Sequence, residues 1–169
     1  MARLVADAAA VMNLDPSTVA LTRHAGYVHD LGRIGVSNQI WSAPRQLTPS
    51  EFERVRLHSY FTVRILRQVR GLERVAQVAG NHHERVDGSG YPRGLAGAAL
   101  GLPDRLLAAA VRYQAACEPR PYRAELSPKR RNTACAKTSK PAALMGSLST
   151  PSCTQPAGVP SNPVRGRAD

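Results

Sequence analysis

The chain has 169 residues, 43% of them hydrophobic, with 3 cysteines and a formal net charge of +11. That length gives room for one domain whose core needs no disulfide or structural metal. Cys117, Cys135 and Cys153 are odd in number, lack CxxC spacing and read as free thiols. No apolar run approaches the roughly 20 residues that span a bilayer. The amino-terminal region also lacks the order of basic, apolar and small residues that marks a secretory signal. A cytoplasmic protein with no membrane partner is therefore expected.

In chain order, Leu4, Val5, Ala8, Ala9, Val11 and Met12 recur at helical spacing and predict an opening amphipathic helix. Asp15 and Pro16 supply an N-cap and a first-turn proline for a second helix over 16–31, which Gly32 and Gly35 end. His29 and Asp30 are then expected in its last turn. Residues 37–48 read as a loop. Thr48, Pro49, Ser50 and Glu51 form a capping box, and the helix it opens carries His58 and runs until Gly71 stops it. A further helix over 72–83 closes on His82 and His83. Residues 84–102, rich in glycine and containing Pro92, read as a long ordered loop, and Pro103 opens a last helix to about Cys117. Nothing alternates with period two over a useful length, so the fold class is all-α, a helical bundle of five or so helices.

After Ser127 the character changes. Residues 1–127 hold 16 basic and 11 acidic side chains and no lysine, whereas 128–169 hold 7 basic and 1 acidic, with Lys129, Lys137, Lys140 and many Pro, Ser and Thr. Lys129, Arg130 and Arg131 place positive charge where a helix start at Ser127 and Pro128 would favour negative charge. The expected organisation is a domain over 1–127 and a basic, low-complexity tail over 128–169. The tail reads either as disordered or as the product of a reading-frame shift near codon 128. It has no aromatic interleaving and no recognisable DNA-binding helix pair, so DNA is not expected as a partner.

A divalent cation that activates water for phosphoester cleavage needs neutral imidazoles, carboxylates that can bridge, and open coordination positions. His29 with Asp30, His58, and His82 with His83 supply five such groups in three separated clusters. Any one of these histidines alone reads as an ordinary surface or core residue. Three clusters at helix ends around a glycine-rich loop read as a metal site. Neighbours in a helix point about 100° apart, so His29 can serve one metal while Asp30 reaches between two. Arg33, one turn further on, either neutralises Asp30 or faces a phosphate. His24 lies outside the pattern and is assigned to structure.

The segments HDLGRIG, LTPSEFERVRLH, HHERVDGSGYPRG and EPRPYR follow one another as they do in the HD-GYP family, which the chain resembles over essentially all of 1–127. The resemblance implies an all-α bundle of the HD type that hydrolyses the phosphodiester bonds of cyclic di-guanylate. It also implies a divalent transition metal, iron or manganese foremost, in a centre of two or three ions. By the same resemblance His29, Asp30, His58, His82 and His83 are metal ligands, with Asp30 bridging. Arg33 stands where the family has a phosphate-facing lysine, so Asp30 and Arg33 carry the catalytic roles. Arg120 and Arg123 match residues that hold substrate phosphates. Gly90, Tyr91 and Pro92 form the signature loop beside the site, a surface for a signalling-protein partner.

Two departures qualify this. The family's first helix bears a further histidine or glutamate ligand upstream of a sequence matched by Arg3 to Ala6, so the chain is expected to start just after it. The family's final aspartate ligand aligns with Val111, which cannot bind a cation. Both losses fall on the metal position shared by His29 and Asp30, so one ion and weak or absent turnover are expected. The alternative is an inactive module that binds a cyclic dinucleotide, once fused to a regulatory DNA-binding domain.

Overall fold

The computed structural model describes residues 1–117, and six α-helices organise them: α1 (Ala2–Val11), α2 (Pro16–Val28), α3 (Asn38–Trp41), α4 (Pro49–Leu66), α5 (Glu73–Gly80) and α6 (Leu102–Cys117). Short 3-10 turns at Leu31–Gly35 and Gly97–Ala99 complete the regular structure. The all-α class is as the sequence predicts, and among the described residues the one β-type pairing is an isolated bridge between Asp87 and Ala96. The proposed boundary at 127, the tail, and Arg120 and Arg123 lie outside the described residues.

Both capped helix starts read from the sequence are present, and the last helix opens at Leu102, one residue before the Pro103 expected to start it. The Asp15 side chain accepts from the Thr18 amide at the head of α2. At the head of α4 the Thr48 hydroxyl accepts from the Glu51 amide while the Glu51 carboxylate accepts from the Thr48 amide, the reciprocal pairing of a capping box. α1, α2, α5 and α6 enclose the main core, in which Val5, Val75, Val78, Leu106 and Leu107 interlock with an unusual share of alanine. Alanine at these positions lets helix backbones approach closely. A second, smaller cluster of Val36, Ile40 and Val55, with Trp41 and Phe61 against it, fastens α3 to α4.

Three helix ends differ from expectation. α2 stops at Val28, so His29 and Asp30 lie in the turn that leads into the first 3-10 segment and not in the helix. The His29 carbonyl accepts from the Thr62 hydroxyl of α4, and that hydroxyl in turn accepts from the Gly32 amide. A hydrogen bond to another element has replaced the next helical one. α4 ends at Leu66, and turns carry the chain to Gly71, whose positive φ of 86° suits only glycine without strain. α5 ends at Gly80, leaving His82 and His83 in a turn whose first residue, Asn81, is held by the buried Asp104 carboxylate. The segment read as a loop over 37–48 contains the single turn α3, capped by Ser37.

Gly32 is where sequence and packing meet most tightly. A Cβ there would fall inside the contact distance of the His58 carbonyl and the Thr62 amide, both backbone atoms that cannot move aside. The turn bearing His29 and Asp30 therefore lies directly on the backbone of α4. Thr62→Val keeps the shape but leaves the buried Gly32 amide without an acceptor, and is expected to lower unfolding stability by about 1–3 kcal/mol, read by urea denaturation. Gly32→Ala should cost about 3 kcal/mol or more through overpacking. An unchanged denaturation midpoint for both would contradict this account of the turn.

Candidate metal centre

His58 is delivered from the middle of α4, His29 and Asp30 from the turn after α2, and His82 and His83 from the turn after α5. The ligand nitrogens of His58, His82 and His83 lie within 4.8 Å of one another. Asp30 joins them through Oδ1, which is 3.4 Å from His58 Nε2 and 3.6 Å from His82 Nε2. Its other oxygen, Oδ2, faces away, 3.7 Å from His29 Nε2 and 3.3 Å from the Arg33 guanidinium. All five residues singled out as ligands in the sequence thus come together, and His24 stays exposed and apart.

The tautomers follow from the hydrogen bonds. A backbone carbonyl can only accept, so His58 Nδ1 donates to Val55, His82 Nδ1 to Ala79 at 2.6 Å and His29 Nδ1 to Gly26 at 3.0 Å. Each neutral imidazole then carries its lone pair on Nε2. The Nε2 atoms of His58 and His82 are 3.1 Å apart, so two lone pairs face each other at a distance that only a cation or a proton between them makes favourable. His58 and His82 are 2% and 1% exposed, which removes water as the remedy. This donor set fits a divalent transition metal: borderline imidazole nitrogens and one carboxylate oxygen, with His58 and His82 oriented by their second nitrogens.

The signature loop is tied to the same turn. The Tyr91 ring stacks on His83 with centroids 4.6 Å apart, the Tyr91 amide donates to the His83 carbonyl, and the Arg56 guanidinium of α4 lies 4.9 Å from the Tyr91 ring centroid. Gly90 lies on the backbone of His83 to Arg85, where any Cβ would collide. Pro92 follows, and the buried Glu84 carboxylate accepts from the amides of Arg93 and Leu95, closing the loop onto its own base. A cleft of about 520 Å³ opens over Asp30, His58, His83 and Tyr91, with Arg33 and Val111 in its walls. Thr62, Glu84, Asn81 and Trp41 escaped the sequence reading. No spacing rule marks them; only the E within HHE lay inside a stretch already singled out.

A family model described as an HD domain matches residues 1–141. Among curated proteins, a 3'3'-cGAMP-specific phosphodiesterase of Vibrio cholerae is 46% identical over 102 residues, which are 60% of this chain and 24% of that protein. A cyclic di-GMP phosphodiesterase of Thermotoga maritima is 37% identical over 114 residues, 66% of this chain and 31% of its own length. A cyclic di-GMP phosphodiesterase response regulator of Xanthomonas campestris is 34% identical over 114 residues, 66% and 30% of the two chains. The match spans less than a third of each of these relatives.

Burial dominates the proton affinities. It pushes His58 down, aided by the positive charge of Arg33; it pushes His82 down to about 3, aided by His58 and His29; and it pushes His83 down as well. For Asp30 burial opposes ionisation, but attraction to His29, His82, His58 and Arg33 outweighs it and the carboxyl stays below its ordinary range. The phenol of Tyr91 is pushed up to about 12 by burial and remains protonated. The three lowered histidines are neutral when folded and take up protons when unfolded below about pH 6.5. Their contribution to stability is therefore complete above that pH and lost as pH falls, by up to about 1.4 kcal/mol per group and pH unit. Thermal unfolding of metal-free protein in EDTA should show a falling midpoint from pH 7.5 to 5.5, with a shallower fall in His82→Asn. A flat profile would refute buried neutral imidazoles.

Proposed function

The chain belongs to the HD domain family, and from that premise we propose that it is a metal-dependent phosphohydrolase acting slowly on cyclic dinucleotides. The observation that carries this reading is the convergence of three imidazoles, with the Nε2 lone pairs of the buried His58 and His82 beside one oxygen of Asp30 and His83 at the cleft side. His58, His82, His83 and Asp30 would hold one divalent ion, iron or manganese. Such an ion supplies Lewis acidity to a phosphoryl oxygen and a lowered pKa to a water. The chain's own groups do the rest. Asp30, held ionised, presents Oδ1 to the inner corner while its Oδ2 stays paired with Arg33. Tyr91, still protonated, presents a phenol at the cleft wall. The relatives named for cyclic di-GMP and 3'3'-cGAMP support the substrate class, and Arg120 and Arg123, by resemblance, are the phosphate contacts.

A second reading is favoured by one feature of the cleft. Val111 of α6 lines the same cleft as Asp30, and an apolar side chain there adds nothing to the two donors, His29 and Asp30, that face the outer position. Without a second cation, clamping of both attacking and departing oxygens is impaired. A module that binds a cyclic dinucleotide and does not cut it would look the same.

Full-length protein loaded with manganese or ferrous iron separates the readings. Binding of cyclic di-GMP and 3'3'-cGAMP by calorimetry, alongside product formation by chromatography, should give measurable binding with turnover well below about 1 per second, the low end for enzymes. His82→Ala should abolish metal retention and any hydrolysis together. Retained metal in His82→Ala, or absence of both binding and hydrolysis in the loaded wild type, would reject the proposal.

A further inference from the structure

Asp30 divides its oxygens between two different surroundings. Oδ1 belongs to the inner corner with His58 and His82, while Oδ2 shares its space with His29 Nε2 and the Arg33 guanidinium. The positive charge beside the outer oxygen is therefore already a protein side chain. An exposed ion pair of this kind ordinarily contributes little, because both side chains sample other positions. Arg33 does not have that freedom. Its guanidinium carbon lies 4.2 Å from the centroid of the Trp41 ring, and the indole Nε1 donates to the Arg33 carbonyl at 3.3 Å. Trp41 is itself set by the one-turn helix α3 and meets the His58 ring edge on, with centroids 5.8 Å apart.

We propose that Arg33, clamped on Trp41, occupies the position a second cation would take between His29 and the outer oxygen of Asp30, and so restricts the centre to a single ion. The inference rests on the metal-centre reading above and adds a cause for the stoichiometry. A guanidinium is suited to the task because it is charged at every working pH and cannot leave by losing its proton, as an ammonium can. It satisfies Oδ2 by hydrogen bonding and repels an incoming dication from the same few ångströms. His29 remains pinned by its Nδ1 bond to Gly26, so its lone pair is presented to a place from which metal is kept out.

The test is manganese titration of metal-free, full-length protein, followed by electron paramagnetic resonance and metal analysis, with circular dichroism to confirm folding. Wild type should take one ion. Arg33→Gln, which removes the charge, and Trp41→Leu, which keeps it but frees the side chain, should each take a second ion at least tenfold more tightly than wild type does, spin-coupled to the first. Adding His29→Ala to Arg33→Gln should return the count to one. Two ions in wild type, or one ion with unchanged affinity in both Arg33→Gln and Trp41→Leu, would overturn the proposal while leaving the metal centre standing. No ion in any of them would remove the metal centre and this inference together.

Discussion

Three histidines in this chain make the same bond: Nδ1–H donating to the carbonyl three residues earlier, His29 to Gly26, His58 to Val55 and His82 to Ala79. Everything in the centre depends on it. The bond sets the tautomer, turns the lone pair of each ring outward on Nε2, and holds the ring against rotation. It is local, so each histidine arrives oriented by its own turn. The remaining problem is only to bring the turns together. That assembly is uphill without a cation, since it buries neutral imidazoles with their lone pairs opposed.

The scaffold offsets that cost with polar bonds between elements. The Thr62 hydroxyl joins α4 to the His29–Gly32 turn, with Gly32 bare enough to let backbone meet backbone. On the opposite side, Asn81 links Asp104 of α6 to Arg93 of the loop, and Glu84 gathers the loop amides. Asp104 accepts this role although burial pushes its carboxyl up, because the Asn81 amide and the Gly101 amide both donate to it. Thr62, Asn81, Glu84 and Asp104 are almost fully buried and bonded, the condition under which a polar group orders a core at little loss.

Much of this was legible in the residues. Helix starts carry their chemistry in adjacent positions, which is why the caps at Asp15 and Thr48 could be read directly. The grouping of His29, Asp30, His58, His82 and His83 was legible because imidazole and carboxylate pairs beside glycine have few other uses. Helix ends were not. α2 and α5 stop where Thr62 and Asp104 draw the chain away, and those partners lie 33 residues from His29 and 23 from Asn81 in sequence. Local propensity contains no trace of such bonds. For the same reason Trp41 looked like a loop residue: a single helical turn is specified by Ile40 packing into the cluster with Val36 and Val55.

The electrostatics of the cleft follow from what its arginines already hold. Arg33 is committed to Asp30 and Trp41, Arg45 makes a two-pronged pair with Glu51, and Arg56, outside the cleft lining, pairs with Glu53 and lies over Tyr91. Among the described residues these charges are balanced or stacked and give a phosphate little unspent attraction. Asp30 and Arg33 cancel, and the buried histidines are neutral. A dication at the inner corner would change the local charge by two in a low-dielectric site, where a charge acts far more strongly than on an open surface. Affinity for an anionic ligand should then be set largely by whether that corner is filled, and metal content and ligand binding become one linked equilibrium rather than two independent properties.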